Sequence, residues 1–130
     1  MNKLLVTLSI LISLTGFSQK EKYTFDNLIG TWRNKNGAGL DVIDSNTIYI
    51  VHGGQRKLVK ASLSDFTKSP VSFDLAVKDA SRVTTLKSLL LFVNDRTLQW
   101  QVFNTETTPV NFRYDRGDML FLKKIEELNN

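Results

Sequence analysis

The chain has 130 residues, a formal net charge of +4 at pH 7, no cysteine and a single histidine. These counts exclude a disulfide framework and a zinc site built from several histidine and cysteine ligands. The positive excess is small and unclustered, which argues against a nucleic-acid-binding protein. The length fits one small domain, whose core must form without covalent or metal cross-links.

Residues 1–18 have the three-part pattern of a secretory signal peptide. Lys3 gives a basic start, a mainly apolar run extends from Leu4 to Phe17, and Gly16 and Ser18 place small residues before a cut at Gln19. This run of about 14 residues is shorter than the ~20 residues that a spanning helix needs. We therefore predict an exported protein, periplasmic or extracellular, that keeps no stable membrane anchor after cleavage.

The rest of the chain divides into a polar leader over 19–27, a β domain over 28–125 and a polar tail over 126–130. Tyr23 and Phe25 of the leader are expected to cover the entrance of the fold. Turn-forming residues recur along the β domain and separate short segments rich in β-branched and aromatic residues. The predicted strands are Leu28–Arg33, Leu40–Ile43, Thr47–His52, Lys57–Leu63, Val71–Lys78, Leu86–Val93, Thr97–Phe103, Val110–Tyr114 and Met119–Ile125.

Two of these strands show how the sheet should be buried. Val71, Phe73, Leu75 and Val77 alternate with more polar residues, which indicates one buried face. The segment 86–93 is almost continuously apolar, which predicts that both of its faces are covered. Short strands joined by hairpins predict an all-β protein, either a barrel or a sandwich. Because sequential hairpins dominate, we favour an antiparallel up-and-down barrel of eight or nine strands.

Motifs that resemble catalytic or metal sites have simpler structural interpretations here. His52-Gly53-Gly54 resembles an oxyanion-forming segment, but the chain has no Gly-x-Ser-x-Gly elbow and no cysteine nucleophile. Asp44-Ser45-Asn46 fits an Asx turn better than a calcium loop. Arg116-Gly117-Asp118 fits a tight hairpin turn better than an adhesion motif. We therefore predict a non-enzymatic protein with no metal and no cofactor.

The Gly30-Thr31-Trp32 start, the strand spacing and the secretory leader together resemble the calycin group, and within it the lipocalin-like small barrels. The resemblance implies that Trp32 closes one end of the barrel and that a basic side chain of the last strand stacks over it. Lys123 and Lys124 lie in the predicted last strand, and Arg113 lies one strand earlier as an alternative. Gly30 is expected to let the backbone bend or the indole approach closely.

An eight-stranded barrel is either filled by side chains or holds one small ligand. The first hypothesis is a binding module for a small apolar or amphipathic ligand inside the barrel. The candidate lining residues are Trp100, Phe73, Phe112, Leu91, and Tyr49 or its neighbours Ile48 and Ile50. The alternative is a protein-recognition barrel, such as a secreted inhibitor or an immunity-type protein. It would bind a partner through the rim loops Asn34–Gly37, Gly53–Arg56 and Asn104–Thr108.

Overall fold

The structure, a computed structural model, describes residues 23–107 and 109–126. The predicted signal peptide, the first residues of the leader and residues 127–130 of the tail lie outside these ranges. The predictions made for them are therefore not addressed by the structure.

Within the described residues, eight strands follow one short helix. The helix α1 spans Phe25–Leu28, and the strands are β1 (Gly30–Arg33), β2 (Gly39–Asp44), β3 (Thr47–His52), β4 (Gln55–Leu63), β5 (Val71–Asp79), β6 (Arg82–Asn94), β7 (Thr97–Phe103) and β8 (Leu120–Ile125). Each strand pairs antiparallel with the next, and β8 pairs with β1 to close the barrel. The predicted all-β, antiparallel up-and-down barrel is confirmed, and the architecture is consistent with a calycin-like fold.

Helix α1 is a single turn at the start of the described chain. The backbone N–H of Thr24, just before the helix, donates to Asn27 Oδ1 at 2.8 Å. This bond satisfies one of the backbone donors that the start of a helix leaves without a partner. Among the described residues, no helix is long and apolar enough to cross a bilayer.

The core lies inside the barrel because successive side chains of a strand point to opposite faces of the sheet. On β5, Val71, Phe73 and Leu75 are buried, whereas the residues between them are partly exposed. The other strands send their own alternating apolar residues into the same core. The buried core residues are Leu28, Trp32, Leu40, Val42, Ile48, Val59, Val71, Phe73, Leu75, Leu90, Leu98, Trp100 and Leu122.

The predicted strand Val110–Tyr114 is absent from the structure, which has no helix or strand among residues 104–107 and 109–119. Val110 is 84% exposed and Tyr114 is 75% exposed, whereas Phe112 between them is buried. The three residues would share one face of a strand, but only Phe112 has an apolar surface to pack on. A pattern of alternating apolar residues was therefore insufficient to form a strand here.

The side chain of Gln101 takes the place of a strand partner for this segment. Gln101 Oε1 accepts from the backbone N–H of Arg113, and Gln101 Nε2 donates to the carbonyl of Arg113, both at 2.8 Å. Gln101 Nε2 also donates to Asp118 Oδ1 at 2.7 Å. These contacts fix the connection between β7 and β8 against the outer face of the barrel.

A second, smaller apolar cluster lies under this connection. Leu89 on β6 and Phe103 on β7 are buried with Phe112, and Leu91 and Met119 pack against them. The outward side chains of Leu89 and Leu91 on β6 are therefore covered by the connection, while the inward Leu86, Leu90 and Phe92 belong to the barrel core. This arrangement explains why the sequence of β6 is almost continuously apolar.

Candidate functional site

The two ends of the barrel differ in structure. Because β1 starts beside α1 and the strands alternate in direction, the connections after β2, β4 and β6 lie at the same end as α1. We call this the closed end, centred on Leu28, Trp32 and Phe92. The connections after β1, β3, β5 and β7 surround the opposite end, which we call the mouth.

Trp32 fills the closed end. Its side chain is fully buried, and its Nε1 donates to the carbonyl of Leu28 in α1 at 2.8 Å. The ring of Phe92 meets the indole edge-on, with 6.2 Å between ring centroids. The indole therefore buries its apolar surface and also satisfies its one polar group.

Of the three basic residues proposed from the sequence, the structure brings Lys124 to Trp32. Lys124 and Trp32 are register partners on β8 and β1, and Lys124 Nζ lies 5.5 Å from the indole centroid. Lys123 is on the other face of β8 and donates to Thr97 Oγ1 at 3.0 Å. Arg113 lies in the β7–β8 connection, where its Nη2 is 3.3 Å from Asp115 Oδ2.

Gly30 lies directly beside Lys124. Its φ of +145° is in the region that favours glycine, and a Cβ added there would lie 2.7 Å from Lys124 Cε. The absence of a side chain at Gly30 therefore leaves room for the lysine stem that reaches the indole.

Two of the candidate lining residues, Phe73 and Trp100, lie in the barrel core. Their ring centroids are 6.5 Å apart, and both side chains are almost completely buried. Trp100 Nε1 is buried and has no acceptor among the described residues. Nearby, Ser88 Oγ donates to the carbonyl of Phe73. The core therefore contains one indole donor that is free to bond an oxygen atom.

The other three candidates are on the outside of the barrel. Leu91 and Phe112 belong to the outer cluster beneath the β7–β8 connection. The ring of Tyr49 is covered by the guanidinium of Arg56, whose Cζ lies 3.6 Å from the ring centroid. Since β3 is apolar at both odd and even positions, its sequence did not reveal which face is inward. In the structure Ile48 is in the core and Ile50 packs against it.

An ion-pair cluster lies beside Tyr49 on the outer wall. Asp41 Oδ1 is 2.7 Å from Arg33 Nη1, and Asp41 Oδ2 accepts from Arg56 Nε at 2.7 Å. Burial alone would raise the pKa of Asp41, but the hydrogen bonds and charges of Arg33 and Arg56 outweigh it and lower the pKa. Asp41 on β2 is therefore held as a carboxylate that links its strand to β1 through Arg33 and, across β3, to β4 through Arg56.

The mouth contains a hollow of about 340 Å³ on the inner face of β3–β6. Its apolar wall is formed by Ile50, Val77 and Leu86, and its polar rim consists of His52, Gln55, Lys57, Asp79 and Thr84. Lys57 Nζ lies 3.8 Å from Asp79 Oδ2. The arrangement can contact an apolar group with its wall and hydrogen-bond a polar group at its rim.

Of the residues that line the hollow, Ile50 was a candidate lining residue and Gln55 belongs to the rim loop Gly53–Arg56, whereas His52 was interpreted structurally and the other five were not proposed as part of a site. Strand register brings them together, because Ile50 pairs with Lys57 and Val77 pairs with Thr84. On several strands, the residues change from apolar to polar toward the mouth, and this change was the sequence signal for the hollow. To interpret it, one must know the register between neighbouring strands, which the sequence pattern alone does not provide.

Within the part of the chain that the structure describes, no three histidine or acidic side chains form a group that could hold a metal ion. Comparisons with protein-family models, with curated proteins and with solved structures find no match to this chain.

Proposed function

We propose that the protein is an exported, non-enzymatic, lipocalin-like binding module that takes a small amphipathic ligand at the mouth of its barrel. The observation that carries this proposal is the hollow of about 340 Å³ with its apolar wall and polar rim. Ligand sites in proteins combine a mostly apolar concave surface with a few polar groups that fix orientation.

The size of the hollow limits the ligand. Its volume of about 340 Å³ is at the lower end of the ~300–1,000 Å³ range of small-molecule sites. Core side chains such as Phe73 and Leu75 are completely buried, so they offer no exposed surface to a ligand. A ligand that fits would place a compact apolar group against Val77 and Leu86 and keep its polar group at the rim.

The chemistry of the rim favours binding over catalysis. Gln55 and Thr84 supply hydrogen-bonding groups, and Lys57 and Asp79 supply charges of both signs. The lining contains His52 as its only imidazole and no serine or cysteine that could act as a nucleophile. Export is supported by the signal-peptide pattern over residues 1–18.

The proposal is tested with a neutral, environment-sensitive probe, N-phenyl-1-naphthylamine, titrated into the purified protein. We expect saturable fluorescence enhancement and at least tenfold weaker binding in Thr84→Trp, because the indole would occupy the hollow. Thr85→Trp is the matched control, since Thr85 is the next residue of β6 and points to the outer face. Equal affinities in the two variants, or no saturable binding to the wild type, would contradict a ligand site at the mouth.

A second candidate function is recognition of a protein partner through the rim. The observation that favours it is a groove of about 800 Å³ bordered by Asn34, Lys35 and Asn36 of the β1–β2 turn. This turn belongs to one of the rim loops proposed from the sequence. Such a barrel would act as an inhibitor or an immunity-type protein, with no requirement for a ligand in the hollow.

A further inference from the structure

The groove lies on the outer wall, between the β1–β2 turn and the start of β8. We call it the β8 groove. One side is formed by Arg33 and the turn, and the other by Gly117 and Met119 at the end of the β7–β8 connection. Its floor is β8 itself, which contributes Leu120, Phe121, Lys123 and Ile125.

The groove coincides with a gap in strand pairing. β1 pairs with β8 from Thr31 to Arg33, opposite Ile125 to Lys123. The chain then leaves β1 for the turn, whereas β8 continues to pair with β7 as far as Leu120. Along residues 120–122, the groove therefore takes the place of a strand neighbour on the β1 side. Exposed sheet edges of this kind accept extended peptide segments.

The charges of the groove all have one sign. Arg33, Lys35 and Lys123 contribute to its lining, and no carboxylate does. Arg33 and Lys123 are register partners on adjacent strands, a placement of like charges that is unfavourable by itself. Arg33 is compensated by Asp41. Within the described part of the chain, neither Lys35 nor Lys123 forms a salt bridge with a carboxylate.

Two exposed apolar side chains flank Lys123 on β8. Phe121 is 53% exposed and Ile125 is 50% exposed. Positions 121, 123 and 125 share the outer face because side chains alternate along a strand. The floor therefore presents an apolar, a basic and an apolar side chain in succession.

We propose that the β8 groove binds an extended acidic segment of a partner protein. One carboxylate of the segment lies against Lys123 and another near Lys35, while its apolar side chains pack on Phe121 and Ile125. This proposal rests on the second candidate function and is independent of ligand binding in the hollow.

The test measures fluorescence anisotropy of a fluorescein-labelled synthetic peptide of alternating glutamate and valine. We expect saturable binding that weakens with added salt and is at least tenfold weaker in the double variant Lys35→Glu/Lys123→Glu. The matched control is Lys60→Glu/Lys78→Glu, which makes the same charge change on the outer face of β4 and β5. The control should bind within twofold of the wild type.

The other outcomes separate the possible failures. Equal loss in both double variants would show only a response to net charge and would overturn the proposal. If a synthetic peptide of alternating lysine and valine binds in the groove, partner recognition is still supported. The proposal that the partner segment is acidic is then overturned. If neither peptide binds, both the inference and the second candidate function fail.

Two further measurements test other occupants of the groove. The protein could bind phosphatidylglycerol vesicles in a way that depends on Lys35 and Lys123 but fail to bind the peptide. That result would assign the groove to a membrane surface and overturn the proposal. Sedimentation could show self-association that the Lys35→Glu/Lys123→Glu variant abolishes. That result would assign the groove to a second copy of this chain and would also overturn the proposal.

Thr84→Trp should leave peptide binding unchanged, because Thr84 lies in the hollow.

Discussion

The closed end and the mouth are formed by the same eight strands, but one end is filled by buried apolar side chains and the other is bordered by polar side chains. At the closed end, the apolar body of Trp32 is buried and its N–H is bonded to the carbonyl of Leu28. At the mouth, an apolar wall ends in a rim of polar and charged side chains around a hollow. One end therefore stabilises the fold, and the other leaves an open hollow at the surface.

This difference shows how a small barrel without disulfides can combine a stable core with the hollow that we propose as a binding site. Apolar burial is the dominant favourable contribution to folding, and the closed end concentrates it in large side chains. The rim groups Lys57 and Asp79 are more exposed and form a long ion pair of 3.8 Å, which contributes little to stability. Substitutions should consequently affect stability at the closed end and binding at the mouth.

The largest expected effect is that of Trp32→Ala. Removing this fully buried side chain should lower the free energy of unfolding by about 3–5 kcal/mol, the range typical of such truncations. Urea unfolding followed by circular dichroism measures the change. The matched variant at the mouth, Thr84→Ala, should change it by less than ~0.5 kcal/mol. Comparable losses in the two variants would remove the distinction between the ends.

A smaller loss is expected for Gly30→Ala. Alanine at φ +145° is strained, and its Cβ would also force the stem of Lys124 away from the indole. We expect a loss of about 1–3 kcal/mol. Gly54→Ala at the mouth is the comparison, because φ there is +77° and a Cβ would meet nothing within 4 Å. In thermal unfolding, Gly30→Ala should have a lower melting temperature than Gly54→Ala. The reverse order would contradict the inference that Gly30 makes room for the close approach of Lys124.

The third comparison concerns two carboxylates, Asp41 on the wall and Asp79 at the mouth. Asp41→Asn should cost about 1–3 kcal/mol at pH 7, because it removes the charged hydrogen bond from Arg56 and the ion pair with Arg33. Asp79→Asn should change stability by less than ~0.5 kcal/mol, since the ion pair that Asp79 makes with Lys57 is long and exposed. Urea unfolding at pH 7 measures both variants.

The pH dependence of the Asp41 effect has a defined sign. The pKa of Asp41 is lowered in the folded protein, so its contribution is complete above the unfolded value of ~3.9. The contribution is lost as the pH falls through the lower folded-state pKa. The difference between wild type and Asp41→Asn should therefore shrink below about pH 4. A difference that stays constant down to pH 2 would show that Asp41 acts through packing and not through charge.

Much of the fold was predictable because it depends on local patterns. Turn residues and short β segments gave the hairpin order, and the alternation at Val71, Phe73 and Leu75 gave the inward face of β5. The same reasoning failed at Val110–Tyr114. The alternating apolar pattern is present there, but the segment has no neighbouring strand with which to pair. There the side-chain amide of Gln101 binds the backbone of Arg113, a long-range contact that no local pattern reveals.

The sequence by itself determined the all-β class and the succession of hairpins, because turn chemistry and apolar period are local properties, and the resemblance of Gly30-Thr31-Trp32 to the calycin group drew attention to Trp32. Only the tertiary structure decided which lysine lies over Trp32, which face of β3 is inward and which residues form the hollow. Those outcomes depend on the register between strands, and a shift of one residue moves every side chain of a strand to the other face.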